Sequence, residues 1–311
     1  MIALRRMPWM LPAVLFVLLS ALNAVLQPSF LKPSVAISNL GTFLPLAIIS
    51  IGQTYVILGG SIDLSLGAIV SLVNVVVVGV VEAMAPSPWA LAVGIAAGIG
   101  TGLACGLANG LVLGLLRLQP IVTTFATSIV FGGLAIWVLP QAGGSVPDAY
   151  YETYIGTVLS IPTPALILGA LFGVVALLSR TRFYTYLLAT GGGLQAAFQT
   201  GLPVPRVRIF SHMLAGLFAA LAALCVLGET AAGDPLMGQS FTLTSVSAVV
   251  LGCTALSGGA GTVVGSVLGS LVIGLINNVI FFAKLPFAYQ SMIQGLIILL
   301  ALAGGVLVTR R

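Results

Sequence analysis

Residues 180–208 read RTRFYTYLLATGGGLQAAFQTGLPVPRVR, and they separate two long apolar parts of the chain. Four arginines bracket this stretch, and three consecutive glycines and two prolines interrupt it. Because glycine and proline both break a helix in its interior, the stretch cannot cross a membrane as a single helix. It retains two helix-sized pieces, residues 194–200 and 204–209. We expect residues 180–208, termed the coupling segment below, to form a surface on which a partner protein acts.

The composition places the whole chain in one class of protein. The 311 residues are 59% hydrophobic and 5% charged, with a mean hydropathy of +1.20. Roughly a quarter of the residues are charged in a soluble domain, so this deficit indicates a polytopic helical membrane protein. Membrane barrels alternate apolar and polar residues, whereas the apolar runs here are continuous, which excludes a barrel. We predict an all-α fold that forms a single transmembrane domain over residues 1–311.

The apolar runs predict about ten membrane-spanning helices, since a helix crosses a bilayer in about 20 residues. The predicted spans are residues 10–26, 41–58, 64–81, 89–116, 120–139, 158–178, 209–227, 241–256, 262–282 and 287–308. Residues 27–40 and 141–156 are predicted to be loops. The coupling segment lies between the sixth and seventh spans.

The distribution of charge predicts which side of the membrane each loop occupies. An even number of spans places both termini on one side, and every arginine then lies on that side. Lys32 and Lys284 lie on the other side with five of the six acidic residues. Because positive residues collect in cytoplasmic loops, we expect both termini and the coupling segment to be cytoplasmic. The net charge of +5 therefore reflects topology and does not indicate a nucleic-acid partner.

The fourth predicted span carries a glycine at every fourth position. The glycines are Gly94, Gly98, Gly102, Gly106, Gly110 and Gly114. Such a row forms a groove on one helix face, which allows a neighbouring backbone to approach closely. We interpret the groove as a packing device, and the alternative is that it lines a path through the membrane.

A turn with two glycines joins the second and third spans, with the sequence GGSIDLS over residues 59–65. We expect Gly59 and Gly60 to reverse the chain and Asp63 or Ser61 to cap the third helix. The alternative for Asp63 is a proton relay or a contact with substrate, because acids inside membranes often have functional roles. A second such turn, SGGAG at residues 257–261, suggests internal duplication.

Polar side chains are scarce within the predicted spans. Candidates for the lining of a translocation path are Gln53, Asn74, Asn109, Thr123, Thr127 and Asn277. The same side chains are equally suited to hydrogen bonds between helices, which are common in membrane proteins. The sequence leaves both alternatives open.

Motifs for other functions are absent from the sequence. Neither lysine lies in a nucleotide-binding P-loop, and the spans contain no recognisable catalytic set. Cys105, Cys225 and Cys253 lie inside apolar runs without the spacing of metal ligands. We therefore expect no enzymatic activity, no catalytic residue, and no metal or cofactor held by this chain.

At residues 59–67, GGSIDLSLG, the chain resembles the permease subunits of ribose-type ABC sugar importers. Further matching stretches follow in the order that this family has them: NGL at 109–111, PIVTT at 120–124, GG at 191–192, VVLGCT at 249–254, SGGAGTVVG at 257–265 and NN at 277–278. The resemblance covers most of the chain. It implies about ten spans in the bacterial inner membrane, with both termini in the cytoplasm.

The resemblance also implies partners. Residues 191–207 would form coupling helices docked on an ATP-binding subunit, which would hold the ATP and magnesium. A periplasmic binding protein would deliver a small polar solute, expected to be a sugar. The residues expected to contact the ATPase are Gly192, Gln195, Ala196, Ala197, Phe198, Gly201 and Pro203.

Three departures from the family pattern bear on the assembly and the solute. Residues 242–246 read TLTSV where the family has ELDAI, residues 132–134 read GGL without a preceding arginine, and the coupling segment lacks the usual asparagine near Gly193. These losses favour a heterodimer with a second permease over a homodimer. They leave a nucleoside or a sugar-like signal as alternative solutes. A stand-alone secondary transporter is a further alternative, for which Asp63 is the main support.

Overall fold

The structure is a computed structural model that describes residues 9–286 and, beyond them, Tyr289, Met292, Gly295, Leu296 and Leu299. Apart from those five positions, the tenth predicted span at 287–308 lies outside the described residues. Arg5, Arg6, Arg310 and Arg311 also lie outside them, so the predicted location of both termini is not tested.

Helices account for most of residues 9–286. In chain order they are α1 (Met10–Leu26), α2 (Pro33–Leu58), α3 (Leu66–Met84), α4 (Ala90–Leu115), α5 (Pro120–Val138), α6 (Asp148–Ile155), α7 (Thr163–Ser179), α8 (Arg182–Gly192), α9 (Leu194–Gln199), α10 (Val204–Thr230), α11 (Gln239–Leu251) and α12 (Val263–Phe282). Four very short strands form two antiparallel pairs: β1 (Gly143–Ser145) with β4 (Ala232–Gly233), and β2 (Thr157–Val158) with β3 (Ile161–Pro162). The all-α class is confirmed.

Among the described residues, six helices are long and apolar enough to cross a membrane: α2, α3, α4, α5, α10 and α12. Helices α7 and α8 meet the same criteria together, but the chain bends by 75° between them. Helices α1 and α11 are apolar but shorter, with 17 and 13 residues. The chain is thus a polytopic membrane protein with six or seven such helices in the described part, and the predicted count of ten spans is not confirmed.

Several predicted bounds differ from the structure: the sixth span begins at Thr163 and not at 158, the eighth ends at Leu251 and not at 256, and two loops and one short helix differ as follows. The predicted loop 27–40 is wrong from residue 33 onward, because α2 begins at Pro33, whose missing N–H suits the first turn of a helix. The predicted loop 141–156 contains α6, which has Asp148 in its first turn. Residues 204–209 are not a separate short helix but the first turns of α10, in which Pro205 occupies a tolerated early position.

The glycine row of α4 packs against two different helices. A Cβ built on Gly98 would lie 2.5 Å from Val77 Cγ2 of α3, and one on Gly102 would lie 2.5 Å from the Gly216 carbonyl oxygen of α10. A Cβ on Gly110 would lie 2.7 Å from Ile209 Cα, also on α10. These distances leave no room for a side chain, so the prediction that the row is a packing groove is confirmed.

The charges separate toward two ends of the helix bundle. At the arginine end, the Arg117 guanidinium carbon lies 5.5 Å from the centre of the Phe198 ring of α9. At the opposite, acidic end, Thr42 Oγ1 donates a hydrogen bond to Glu229 Oε1 at 2.7 Å. The Asp234 backbone N–H donates to Asn74 Oδ1 at 2.8 Å at the same end. This separation agrees with the charge pattern from which the topology was predicted.

Candidate functional site

Helix α9 presents apolar side chains away from the rest of the structure. Phe198 is 57% exposed and Leu194 is 42% exposed. Of the other residues predicted to contact a partner, those that are exposed or half-buried are Gly192, Gln195, Ala196, Gly201 and Pro203. Ala197 is only 4% exposed, so its predicted place on the contact surface is wrong. Because neighbouring helical residues point about 100° apart, Ala197 packs inward while Phe198 points outward.

A cleft of about 430 Å³ separates α9 from the first turns of α10 and the end of α4. Its lining residues are Gly114, Arg117, Leu194, Gln195, Phe198, Gln199, Val204, Pro205 and Arg208. The Arg117 guanidinium lies over the Phe198 ring, which ties α9 to the loop that follows α4. Helix α9 is therefore held in place through Phe198, and Phe198 and Leu194 remain partly exposed along the cleft.

The end of α8 touches both glycine turns through main-chain atoms. The Gly259 N–H donates a hydrogen bond to the Leu58 carbonyl oxygen at 3.0 Å. A Cβ on Gly258 would lie 2.8 Å from Gly60 Cα and 2.9 Å from Gly191 Cα, and one on Gly191 would overlap the Leu58 oxygen. We call Gly60, Gly191, Gly258 and Gly259 the glycine junction.

The glycine junction joins the end of α8 to two loops without intervening side chains. Gly60, Gly258 and Gly259 have positive φ angles of 76°, 89° and 74°, which glycine adopts most readily. The sequence pattern identifies both glycine turns. It carries no signal that the turns meet each other and the end of α8, next to α9. The consequence is that α9 is linked through backbone contacts to the ends of α2, α8 and α11.

Asp63 lies in a fully buried polar cluster at this end. Its Oδ1 accepts hydrogen bonds from Ser65 N at 2.8 Å and from Ser65 Oγ at 2.6 Å, and its Oδ2 accepts from Asn109 Nδ2 at 3.3 Å. Asn109 Nδ2 also donates to Ser65 Oγ at 2.7 Å. Ser65 is the N-cap residue of α3 and no side chain caps that helix, so the predicted capping role of Asp63 or Ser61 is wrong. Asp63 instead closes the turn and fastens it to α4.

Gly59 and Thr124 fix the remainder of the turn. A Cβ on Gly59 would lie 2.9 Å from Leu187 Cδ1 of α8, so this position accepts only glycine without rearrangement. The Leu64 N–H donates to Thr124 Oγ1 at 3.0 Å, which anchors the turn on the first turn of α5. The predicted structural role of Gly59, Gly60 and Asp63 therefore has a physical basis in contacts with three neighbouring helices.

The six predicted path residues do not come together at one place. Asn109 belongs to the Asp63 cluster, and Asn74 holds the chain after α10 through Asp234 N and, at 3.5 Å, the Ala232 carbonyl oxygen. Thr127 donates to the Thr124 carbonyl oxygen within its own helix at 3.1 Å. At least two of the six thus serve the packing of helices and loops.

Two other predicted path residues are buried without hydrogen-bond partners among the described residues. Gln53 is fully buried and neither of its amide atoms is paired, and the Thr123 hydroxyl is likewise unpaired. Buried polar atoms of this kind are costly unless they meet water, solute or another group. Asn277 lies elsewhere, in a polar cleft at the acidic end.

Two tyrosines fasten α6 over the acidic end. Tyr154 donates from its hydroxyl to the Gly41 carbonyl oxygen at 2.8 Å, and Tyr150 donates to the Leu224 carbonyl oxygen at 2.9 Å. Burial raises the pKa of both phenols above the ordinary value. Both therefore stay protonated at physiological pH and keep these hydrogen bonds, which connect α6 to α2 and α10.

In the described part of the chain, no group of three or more histidine, cysteine, aspartate or glutamate side chains is placed to hold a metal ion. The candidate site thus consists of the partly exposed helix α9, the glycine junction and clefts with polar linings.

Comparison with known proteins identifies the family. Residues 35–302 match the family model described as "Branched-chain amino acid transport system / permease component". The chain is 35% identical over 291 residues to the ribose import permease protein RbsC of Bacillus subtilis. The aligned region covers 92% of this chain and 89% of the relative. It is 30% identical over 304 residues to RbsC of Escherichia coli (strain K12), with coverage of 93% and 90%.

A third relative transports a different pentose by name. The chain is 30% identical over 294 residues to the L-arabinose transport system permease protein AraH of Escherichia coli (strain K12), with coverage of 93% of this chain and 87% of the relative. No solved structure shows a significant match. The resemblance to ribose-type permeases is confirmed, and the chain belongs to the family of transport-system permease components.

Proposed function

We propose that this chain is the transmembrane subunit of an ABC importer that carries a neutral sugar across the bacterial inner membrane. The relatives named for ribose and arabinose import support the solute class. The observation that carries the coupling part of the proposal is the exposed apolar surface of α9, whose preceding residues belong to the glycine junction. Exposed apolar surface outside a span commonly marks a protein contact.

The glycine junction supplies a physical route for coupling. An ATPase that pushes on α9 displaces the end of α8, and Gly191 there lies against Leu58, Gly60 and Gly258. Close-packed backbones transmit a displacement because they have no flexible side chains between them to absorb it. Movement of the ATPase thus reaches the ends of α2 and α11 directly.

The proposed assembly contains further components. The ATPase supplies ATP and magnesium, a periplasmic binding protein delivers the sugar, and a second permease chain completes the path, with a heterodimer favoured. Residues 1–311 form one transmembrane domain of about ten spans in lipid. Both termini and the coupling segment are cytoplasmic, in agreement with the separation of charge between the two ends, and nucleic acid has no part in the function.

The stand-alone transporter is less well supported. It would need an intramembrane acid to bind a coupling ion, and Asp63 was the sequence candidate. Both carboxylate oxygens of Asp63 accept hydrogen bonds from Ser65 and Asn109, which accounts for this buried acid as part of a turn.

The docking surface is tested by replacing Phe198 with alanine. Aromatic anchors at protein interfaces are commonly worth about 2 kcal/mol or more, so we expect Phe198→Ala to weaken ATPase binding about thirtyfold. The partner ATPase is co-expressed with the affinity-tagged chain. The measurement is the amount of ATPase that co-purifies with the chain.

Phe281→Ala is the matched control for this experiment. Phe281 is 74% exposed and lies at the far end of α12, about 30 Å along the bundle from the glycine junction. It should retain the ATPase fully, and both variants should be recovered from the membrane in equal amount. Full retention of the ATPase by Phe198→Ala would show that α9 is not the docking surface.

A further inference from the structure

A small polar cleft lies between three helices near the acidic end. Its volume is about 170 Å³, and it is formed by α2, α11 and α12. Its hydrogen-bonding residues are Thr42, Ser240, Thr244, Asn277 and Asn278, and the remainder of the wall is Phe43, Leu46, Phe241 and Gly274. We refer to it as the polar cleft. Of these residues, Asn277 was a predicted path residue, and Asn278 belongs with it to the NN motif of the sequence.

The chemistry of the lining favours a neutral ligand with hydroxyl groups. Hydroxyl and amide side chains both donate and accept hydrogen bonds, as the hydroxyls of a polyol require. Phe43 and Phe241 add apolar faces against which the C–H groups of a sugar ring can pack. Among the described residues, no charged side chain lines the polar cleft. A zwitterionic amino acid would have to bury two charges there without partners, which is costly.

The size of the polar cleft agrees with a small solute. Drug-sized ligands occupy pockets of roughly 300–1,000 Å³, and the polar cleft is well below this range. Helices α2 and α12 are among those long enough to cross a membrane. Polar side chains grouped in such helices face the protein interior or an aqueous cavity, because lipid offers them no hydrogen bonds.

A second cleft lies beside the polar cleft and shares Thr42 with it. It has a volume of about 310 Å³, and its lining includes Ser38, Tyr151 and Glu229. Thr42 lines both clefts, and its hydroxyl donates to Glu229 Oε1 at 2.7 Å. The Thr42–Glu229 hydrogen bond therefore lies between the two clefts, and a solute arriving from the acidic end meets it before Ser240 and Thr244.

We propose that the polar cleft is a hydroxyl-recognising subsite for a neutral monosaccharide on the import path, entered past Thr42 and Glu229. This inference rests on the proposed function, since it assigns a place in the chain to the solute of that importer. Thr244 is the innermost candidate contact: it is 9% exposed, and its hydroxyl donates to the Ser240 carbonyl oxygen. Its oxygen can still accept a hydrogen bond from the solute.

The test follows the reactivity of a single cysteine at the rim. Ser240→Cys is placed in a chain whose Cys105, Cys225 and Cys253 are alanine, and the purified chain in lipid nanodiscs is treated with a small neutral methanethiosulfonate. The probes are D-ribose, L-arabinose and L-leucine. At a sugar concentration ten times its Kd, about nine-tenths of the sites are filled, so we expect about tenfold slower labelling. L-leucine should have no effect.

Two further variants make the result specific to the cleft. Thr244→Val keeps the shape of the side chain and removes its hydroxyl, so protection by sugar should be lost. Thr101→Val is the matched control: the Thr101 hydroxyl also donates to the carbonyl four residues earlier, at 2.8 Å, but lies on α4 outside the polar cleft. Protection should survive this change.

Three results would overturn the inference: neither sugar slows labelling, L-leucine slows it, or Thr244→Val leaves protection unchanged. Failure of the proposed function is distinguishable from these results. It would appear as normal protection by sugar without ATP-dependent sugar uptake in vesicles that contain the ATPase and binding protein. Failure of this inference alone would appear as ATP-dependent uptake with Ser240→Cys unprotected.

Discussion

Single residues at the arginine end determine how closely the loops approach one another. The sequence predicts that Gly59 and Gly60 reverse the chain, because such pairs have few other uses between two helices. It does not predict that Gly191 lies against the Leu58 oxygen, since that contact joins residues distant in the chain. The error at Ala197 has a similar origin, because a helix of six residues still has an inner face and its direction depends on tertiary packing.

Adjacent glycines in the coupling segment provide a sharp test of the glycine junction. A methyl group at Gly191 would overlap the Leu58 oxygen, whereas a methyl group at Gly192 would meet nothing within 4 Å. Overpacking typically costs roughly 1–3 kcal/mol, so Gly191→Ala should lower the thermal stability of the purified chain and reduce transport. Gly192→Ala should keep the wild-type melting temperature. A melting temperature of Gly191→Ala equal to that of Gly192→Ala would contradict the backbone contact.

The bounds of whole helices were predicted better than the roles of the polar residues within them. Apolar runs give α1, α4, α5 and α12 to within one or two residues, because apolar length alone determines such elements. The role of polar residues within them could not be read in this way. Asn74 and Asn109 hold a loop and a turn, and only the three-dimensional arrangement distinguishes these hydrogen bonds from the lining of a path.

The glycine row of α4 allows a test of how closely α4 packs against α10. A Cβ on Gly106 would lie 2.9 Å from Met213 Cα of α10, whereas a Cβ on Gly100 of the same helix would meet nothing within 4 Å. Gly106→Leu should separate α4 from α10 and reduce the yield of folded chain by a large factor, because lipid does not replace the lost packing. Gly100→Leu should be tolerated. Monodisperse chain at wild-type yield from Gly106→Leu would show that α4 and α10 are not closely packed.

At the scale of the whole molecule, charge and hydropathy predict the class, the motifs that begin at residues 59–67 indicate the family, and contacts add the connection between sites. The arginine end holds α9 and the glycine junction, and the acidic end holds the polar cleft and α6. Helices α2 and α12 run from the one end to the other, with Leu58 near the glycine junction and Thr42 in the polar cleft on α2. Movement at α9 can thus alter the packing around the proposed solute subsite.

ATP-dependent uptake tests the central claim most directly. The chain is reconstituted in vesicles with the second permease chain, the partner ATPase and the binding protein, ATP is enclosed on the ATPase side, and radiolabelled D-ribose or L-arabinose is added outside. We predict accumulation of at least one of these sugars that requires ATP and is lost in Phe198→Ala but not in Phe281→Ala. Accumulation that proceeds without ATP and follows a sodium or proton gradient would contradict the assignment as an ABC permease subunit.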